Sequence, residues 1–368
     1  MSRSRNAMVA GSVTVLAVAA ALVGIHVTRD DGPTPTPIFA ASPLTPSGAG
    51  VAVLGGHSLA VTHDGGRHWT HTQAPYDVTD DTALGVDGAG RVIQAAARGG
   101  MLQLAQATGS TWATHTQKQS QPGFTHATIA SSGSTLAVTY SATASQNNSA
   151  GMVYLGSDLA RLTPRDLPAG GTVQWASATD LLLSGGLGGA SLYSSTDSGK
   201  HWAAVVTPVG PAAPGRGLSA DSPTFGTATR PSTGGLLVPV TLHSASGQTA
   251  VTLLSRTAPG AAFTMGARLT LSATSAVGAG MPVAARPDGS AVAVDPSTGE
   301  VFTFASTGWR SLGRGLPAGA LSLSFADTAT GWAMVQHNSC ASKQNCSSSS
   351  LLYTTGDGGR TWTAATVR

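Results

Sequence analysis

Glutamate is almost missing from this chain: its 368 residues hold one, Glu300, and three lysines stand against seventeen arginines. Charged residues make up 10% of the sequence, where ~25% is usual. Glu300 closes the turn Asp295-Pro296-Ser297-Thr298-Gly299-Glu300, which reads as a solvated position. Glycoside hydrolysis normally takes two carboxylates across the scissile bond, so aspartates would have to supply both. Asp180, Asp221 and Asp288 are the candidates, and none stands in a recognisable catalytic setting. The chain also lacks His-Glu-x-x-His, a Gly-x-Ser-x-Gly elbow and a Gly-x-x-x-x-Gly-Lys-Ser/Thr loop, which excludes the zinc-protease, serine-hydrolase and P-loop readings. The glycine-dense Gly185-Gly186-Leu187-Gly188-Gly189 runs into a strand instead of opening a helix, so it reads as a hairpin loop. No catalytic residue and no cofactor is expected.

The arginines are scattered, and no basic run is interleaved with aromatics. The net charge of +3 and pI near 9.1 therefore do not imply a nucleic-acid partner. Arg91, Arg98, Arg161 and Arg165 are candidate ligand-face positions against a background of isolated solvated arginines. His57, His63, His68 and His71 crowd one stretch, but their spacing puts His63 in a turn and His68 and His71 on opposite faces of one strand, so no shared metal is expected. The two cysteines, Cys340 and Cys346, have five residues between them and no His or acidic cluster beside them. In an exported protein such a pair predicts a disulfide that rigidifies the polar loop 336–350, itself a candidate contact site.

Sustained helical periodicity is absent, and what is present is repetition. Thr62-His63-Asp64-Gly65-Gly66-Arg67-His68-Trp69, Ser195-Thr196-Asp197-Ser198-Gly199-Lys200-His201-Trp202 and Thr355-Gly356-Asp357-Gly358-Gly359-Arg360-Thr361-Trp362 share four positions. A hydroxyl residue (Thr62, Ser195, Thr355) is followed by Asp (Asp64, Asp197, Asp357), Gly (Gly66, Gly199, Gly359) and Trp (Trp69, Trp202, Trp362). Each copy follows a short apolar run that reads as a strand. The Asp can accept bonds from the amides ahead of it, and the Gly admits a positive φ, so each copy predicts a turn. A second strand then starts at the Trp, which buries roughly 150–250 Å² against its neighbours.

This pattern resembles the Asp-box, or bacterial neuraminidase repeat, S/T-x-D-x-G-x-x-W, found between the two outer strands of β-propeller blades. The resemblance implies a structural role for the box residues, away from the ligand-binding face. Weaker copies aligned on the Trp position place Asp-equivalents at 64, 107, 158, 197, 258, 304 and 357, spaced 39–61 residues apart. A four-stranded blade takes ~40–50 residues, so the expectation is an all-β, seven-bladed propeller of four-stranded antiparallel blades. The element Leu321-Ser322-Leu323-Ser324-Phe325-Ala326-Asp327 to Gly331-Trp332, followed by a box, is similar to propellers related to the photosystem II assembly and stability factor. Alternation puts Leu321, Leu323 and Phe325 on one face of an inner strand. Sialidases, for which the box is named, are similar to one another in an Arg triad with an F/Y-R-x-P setting. Arg230-Pro231 and Arg286-Pro287 lack that setting.

The start of the chain reads as a targeting segment. Arg3 and Arg5 precede twenty uncharged residues, Met8 to Val27. That length suits a bilayer-spanning anchor better than the ~7–15-residue core of a cleaved signal. Ala17-Val18-Ala19 and Ala19-Ala20-Ala21 nevertheless supply small-residue cleavage sites, so the product is membrane-anchored or secreted, with the propeller outside in both cases. The expected organisation is a signal anchor or signal peptide over 1–28, a Pro/Thr-rich spacer over 29–43 and the propeller over 44–368. The first strand is expected from Ile38-Phe39-Ala40-Ala41, unless strands from both termini share one blade. The expected product is an exported monomer that binds a protein or surface glycan without catalysis. Its alternative is a sialidase-like hydrolase.

Overall fold

The structure is a computed structural model that describes residues 35–79, 82–119, 123–142, 151–185, 191–209, 222–243, 249–271, 282–306, 308–342 and 345–367. The expected anchor over 1–28 lies outside these residues. Among the described residues no helix is long and apolar enough to cross a membrane.

Strand β1 (Pro37–Ile38) belongs to the last blade, and seven antiparallel sheets follow in chain order. Blade 1 is β2 (Ala40–Ala41), β3 (Gly50–Gly55), β4 (Ser58–Thr62) and β5 (Thr70–Gln73). Blade 2 is β6 (Thr82–Val86), β7 (Val92–Arg98), β8 (Met101–Thr108) and β9 (Thr111–Lys118). Blade 3 is β10 (Phe124–Ser132), β11 (Thr135–Ala142), β12 (Gly151–Gly156) and β13 (Thr163–Asp166), and blade 4 is β14 (Gly171–Ala176), β15 (Leu181–Gly185), β16 (Ser191–Ser195) and β17 (Ala203–Val205). Blade 5 is β18 (Ser222–Phe225), β19 (Leu236–His243) and β20 (Thr249–Arg256), with β21 (Thr264–Met265) and β22 (Leu269–Leu271) sharing the fourth place. Blade 6 is β23 (Val283–Ala285), β24 (Ala291–Val294), β25 (Glu300–Ala305) and β26 (Gly308–Arg314). Blade 7 is β27 (Ala320–Phe325), β28 (Gly331–Ser342) and β29 (Asn345–Thr355), its fourth place divided between β1 and β30 (Thr363–Ala364).

The first strands are innermost: β6 lies against β10, β10 against β14 and β23 against β27. Second strands such as β3, β15 and β24 are buried, while fourth strands such as β5 and β9 are exposed. Because a strand buried on both faces needs apolar residues at successive positions, these central strands read as Val/Ala/Leu runs with no polar alternation. Every junction between consecutive blades holds an apolar cluster, including the one that joins blade 7 to blade 1 through Leu44, Ala52, Trp332 and Leu352. Burial at each junction is what drives the sheets to close into a ring.

Both alternatives for the chain ends are realised together. Ala40–Ala41 forms the inner strand of blade 1, while Pro37 pairs with Leu351, Ile38 with Ser350, and Thr363 with Thr354 on the outer edge of blade 7. The Thr36 hydroxyl donates to Val367 O at 3.1 Å, so the two ends meet on that edge. Residues 35–43, expected in the spacer, therefore contribute two strands of the ring.

The expected alternation over 321–325 needs correction at one point. Pairing steps from Ala320↔Val335 to Ser322↔Met334, a β-bulge that drops Leu321 from the register. Ala320 takes its place in the buried cluster with Leu323 and Phe325.

Candidate functional site

The three matching hairpins adopt one conformation. The hydroxyl of Thr62, Ser195 or Thr355 donates to the Oδ1 of its Asp at 2.8–2.9 Å and accepts the amide of Gly66, Gly199 or Gly359 at 2.9–3.0 Å. The same Oδ1 accepts an amide four residues on, from His68, His201 or Thr361, at 2.9–3.0 Å. Two successive left-handed residues make the bend. Five of the six are glycines, and the sixth, Ser198, is at φ 62°. The amide of that first left-handed residue reaches back to the first loop of its own blade: Gly65 N to Gly48 O at 2.8 Å, Ser198 N to Thr179 O at 3.0 Å and Gly358 N to Ala329 O at 2.9 Å.

The second carboxylate oxygen also has a partner, which sequence reasoning missed. His68 Nδ1 lies 2.5 Å from Asp64 Oδ2, His201 Nδ1 lies 2.6 Å from Asp197 Oδ2, and the Thr361 hydroxyl donates to Asp357 Oδ2 at 2.6 Å. Burial opposes ionisation of Asp64, but hydrogen bonds from the His68 amide and ring, Thr62 and Arg67 outweigh it and hold the carboxyl well below the usual range. Bonds from His201 and Ser195 do the same for Asp197. At Asp357 burial is again outweighed, chiefly by the Thr361 hydroxyl and amide, and the carboxyl falls to about 2. The signal was a donor residue one place before the Trp in all three copies.

The aromatic of each hairpin packs onto the preceding blade. Trp69 stacks on Trp332 of blade 7 at 6.0 Å, Trp202 joins the junction with blade 3, and Trp362 meets Phe325 and Val301 at the junction with blade 6. The weaker copies keep this packing, two of them without the turn. Trp112, Phe263 and Trp309 each lie in the cluster shared with the blade before, yet β8 and β9 are joined by the two-residue turn Gly109-Ser110, and Ala305 pairs with Gly308. Ala107 and Phe304 accordingly lie in strands, not turns. Blade 3 has no aromatic there and uses Leu159 and Leu162 instead.

The candidate ligand-face arginines do not converge. Arg91 precedes β7 and Arg98 ends it, about 23 Å apart at ~3.3 Å per residue. Arg98 donates to Asp77 O, Thr79 Oγ1 and Thr82 Oγ1. Arg161 ends a one-turn 3-10 helix, Leu159–Arg161, between β12 and β13, and Arg165 lies on the outer strand β13 with a bond to Pro164 O. Arg91 lines a cleft. This space of about 210 Å³ between blades 2 and 3 is walled by the Asp87–Arg91 turn, Gln106, Gly133, Ser134, Leu136 and Ser157.

The carboxylates considered for catalysis are engaged elsewhere. Asp180 receives Arg256 Nη2 at 2.6 and 2.7 Å on its two oxygens, Asp288 accepts the amide and hydroxyl of Ser290, and Glu300 accepts the Ser311 hydroxyl. Asp221 lies outside the described residues. His57 bonds Ala74 O, and no cluster of metal-ligating side chains occurs among the described residues. Cys340 and Cys346 face each other in register across β28 and β29, while their side chains lie outside what the structure describes.

The chain matches no protein-family model, and no curated protein matches it. Solved structures do. The dihydro-heme d1 dehydrogenase NirN in complex with DHE is 11% identical with a TM-score of 0.51, covering 90% of this chain and 67% of that one. Virginiamycin B lyase from Staphylococcus aureus is 11% identical with a TM-score of 0.49, over 86% of this chain and 94% of that one. YCF48 from Cyanidioschyzon merolae is 14% identical with a TM-score of 0.36, over 90% and 86%. Identities this low extend to the fold alone, and by its own strand order this chain is a seven-bladed β-propeller of four-stranded antiparallel blades.

Proposed function

We propose that this chain is an exported, non-catalytic propeller, tethered to the membrane or secreted, that binds a protein or a surface glycan through its loops. Its three matching hairpins are read as Asp-box repeats that serve the fold. The observation that carries this reading is the employment of the carboxylates. The box aspartates hold their own turns, Asp87 and Asp288 hold first loops, and Asp180 joins two blades. A glycosidase needs an acid and a base free to face the substrate, and these carboxylates are already committed to other donors.

The test is a screen of the full-length protein against fluorogenic glycosides, including sialosides, run beside a glycan array. The reading expects retention on the array or by a protein partner, without turnover. Turnover abolished by Asp180→Asn or Asp288→Asn would replace it with the sialidase-like hydrolase.

A further inference from the structure

The junctions between blades 2 and 3 and between blades 6 and 7 begin alike. In blade 2 the first turn is closed by Asp87 N to Arg91 O at 3.0 Å and Gly90 N to Asp87 O at 2.9 Å; in blade 6 the same bend is closed by Arg286 N to Ser290 O at 2.8 Å and Gly289 N to Arg286 O at 3.0 Å. Asp87 therefore stands where Arg286 stands. Each bonds an equivalent residue on the third strand, Gln106 and Thr303 respectively, at 2.9 and 2.8 Å. From there the junctions diverge. Arg286 crosses to Thr328 O of blade 7 at 2.7 Å, meeting the five-residue turn 326–330. Asp87 is too short to cross, and the facing turn of blade 3 is only Gly133-Ser134, between paired Ser132 and Thr135. The cleft is the space this exchange leaves open.

Its walls are fixed, because a Cβ on Gly88 would lie 1.6 Å from Gly133 O, so the two turns meet backbone to backbone. Its chemistry is that of a donor. Asp87 Oδ1 accepts the amides of Ala89 and Arg91, and Oδ2 accepts Gln106 Nε2 and Arg91 Nε, so all four of its acceptor positions are filled. That pairing holds the Arg91 guanidinium by Nε and leaves Nη1 and Nη2 with no partner among the described residues, on a side chain 43% exposed. Ser134 and Ser157 line the same space. Asp158, the neighbouring carboxylate, has an interaction of its own. A guanidinium held at Nε presents its two remaining nitrogens as a fork that matches a carboxylate.

On the reading of this chain as a binding module, we propose that the cleft between blades 2 and 3 takes the carboxylate of a single sugar-acid unit, with Arg91 as the anion contact and Ser134, Ser157 and the glycine backbone facing the sugar hydroxyls. The space is below the ~300–1,000 Å³ of drug-sized pockets, which limits the occupant to one such unit.

Calorimetric titration of the full-length protein with D-glucuronate, D-glucose and N-acetyl-L-glutamate tests this. Glucuronate should bind roughly tenfold or more tightly than glucose, and Arg91→Gln should remove that advantage. Ser134→Trp, which adds bulk to the cleft wall, should weaken glucuronate binding similarly, whereas Arg310→Gln, on the outer strand of blade 6, should leave it unchanged. Thermal melting identifies any variant that fails to fold. The proposal is overturned if glucuronate binds no better than glucose, or if Arg91→Gln and Ser134→Trp both bind it like the parent. N-acetyl-L-glutamate binding as tightly as glucuronate would overturn the sugar assignment in favour of an acidic peptide. None of these failures touches the binding-module reading, which turnover of a glycoside would remove.

Discussion

Arg256, at the end of the third strand of blade 5, reaches into the first loop of blade 4 and places one nitrogen 2.6 and 2.7 Å from the two oxygens of Asp180. The arginine side chain is 1% exposed and the aspartate 11%, and the guanidinium lies 5.3 Å over the Phe263 ring. This is an inter-blade tie assembled from residues 76 apart in sequence. Removing one partner leaves the other charged and buried, at a cost of about 3–5 kcal/mol. Arg256→Met should therefore destabilise by that order in urea unfolding, and the double variant Arg256→Met/Asp180→Leu should lose less than the sum of the two single changes. Additive losses would mean that the pair is not coupled.

Gly50 makes room for Trp332. A Cβ at residue 50 would lie 2.2 Å from Trp332 Cη2 and 2.8 Å from Cζ2, and Trp332 is itself stacked on Trp69. Overpacking of this kind costs about 1–3 kcal/mol, so Gly50→Ala should lower the denaturation midpoint. A midpoint equal to the parent's would show that the blade 7 to blade 1 junction is loosely packed.

The box carboxylates make stability depend on acid. Asp64, Asp197 and Asp357 have folded pKa values depressed below that of the unfolded chain, that of Asp357 to about 2. Their contribution is complete above the unfolded pKa of about 4 and is lost as pH falls through the folded values. Melting temperature should thus decline between about pH 4 and pH 2, and Asp357→Asn should flatten part of that decline. A parent profile unchanged across this window contradicts the assignment.

Opposite register at Cys340 and Cys346 predicts a bond between them when the protein is made in an oxidising compartment. Intact-mass measurement without reductant should show the loss of two hydrogens, restored by reductant. Alkylation of both thiols in the unreduced, unfolded protein would rule the bond out.

Much of the ring was legible because a turn and an aromatic are read locally. Asp64, Gly66 and Trp69 announce a bend and an anchor within eight residues, and the same anchor at Trp112 and Trp309 survives where the bend does not, which is why the blade count emerges from the spacing. The bulge at Leu321 was not legible, since alternation cannot show where a strand skips a residue. Nor was the division of blade 7's outer edge between β1 and β30, because Pro37–Ile38 has no pattern of its own and is ordered by Leu351 and Ser350 far along the chain. The candidate site was least legible. Arg91, Arg98, Arg161 and Arg165 look alike in sequence, and only the neighbouring turns place Arg91 in the cleft between blades 2 and 3.

The central claim is that a bulky aromatic after each acid–glycine bend joins its blade to the one before. Trp202 tests it most directly, since it packs into the junction with blade 3 and its Nε1 has no hydrogen-bond partner among the described residues, so packing is what it contributes there. Equilibrium unfolding of Trp202→Ala should show a loss of about 3 kcal/mol or more, and Trp202→Phe a clearly smaller one. A Trp202→Ala protein within about 0.5 kcal/mol of the parent, the range of an ordinary surface change, would contradict the account.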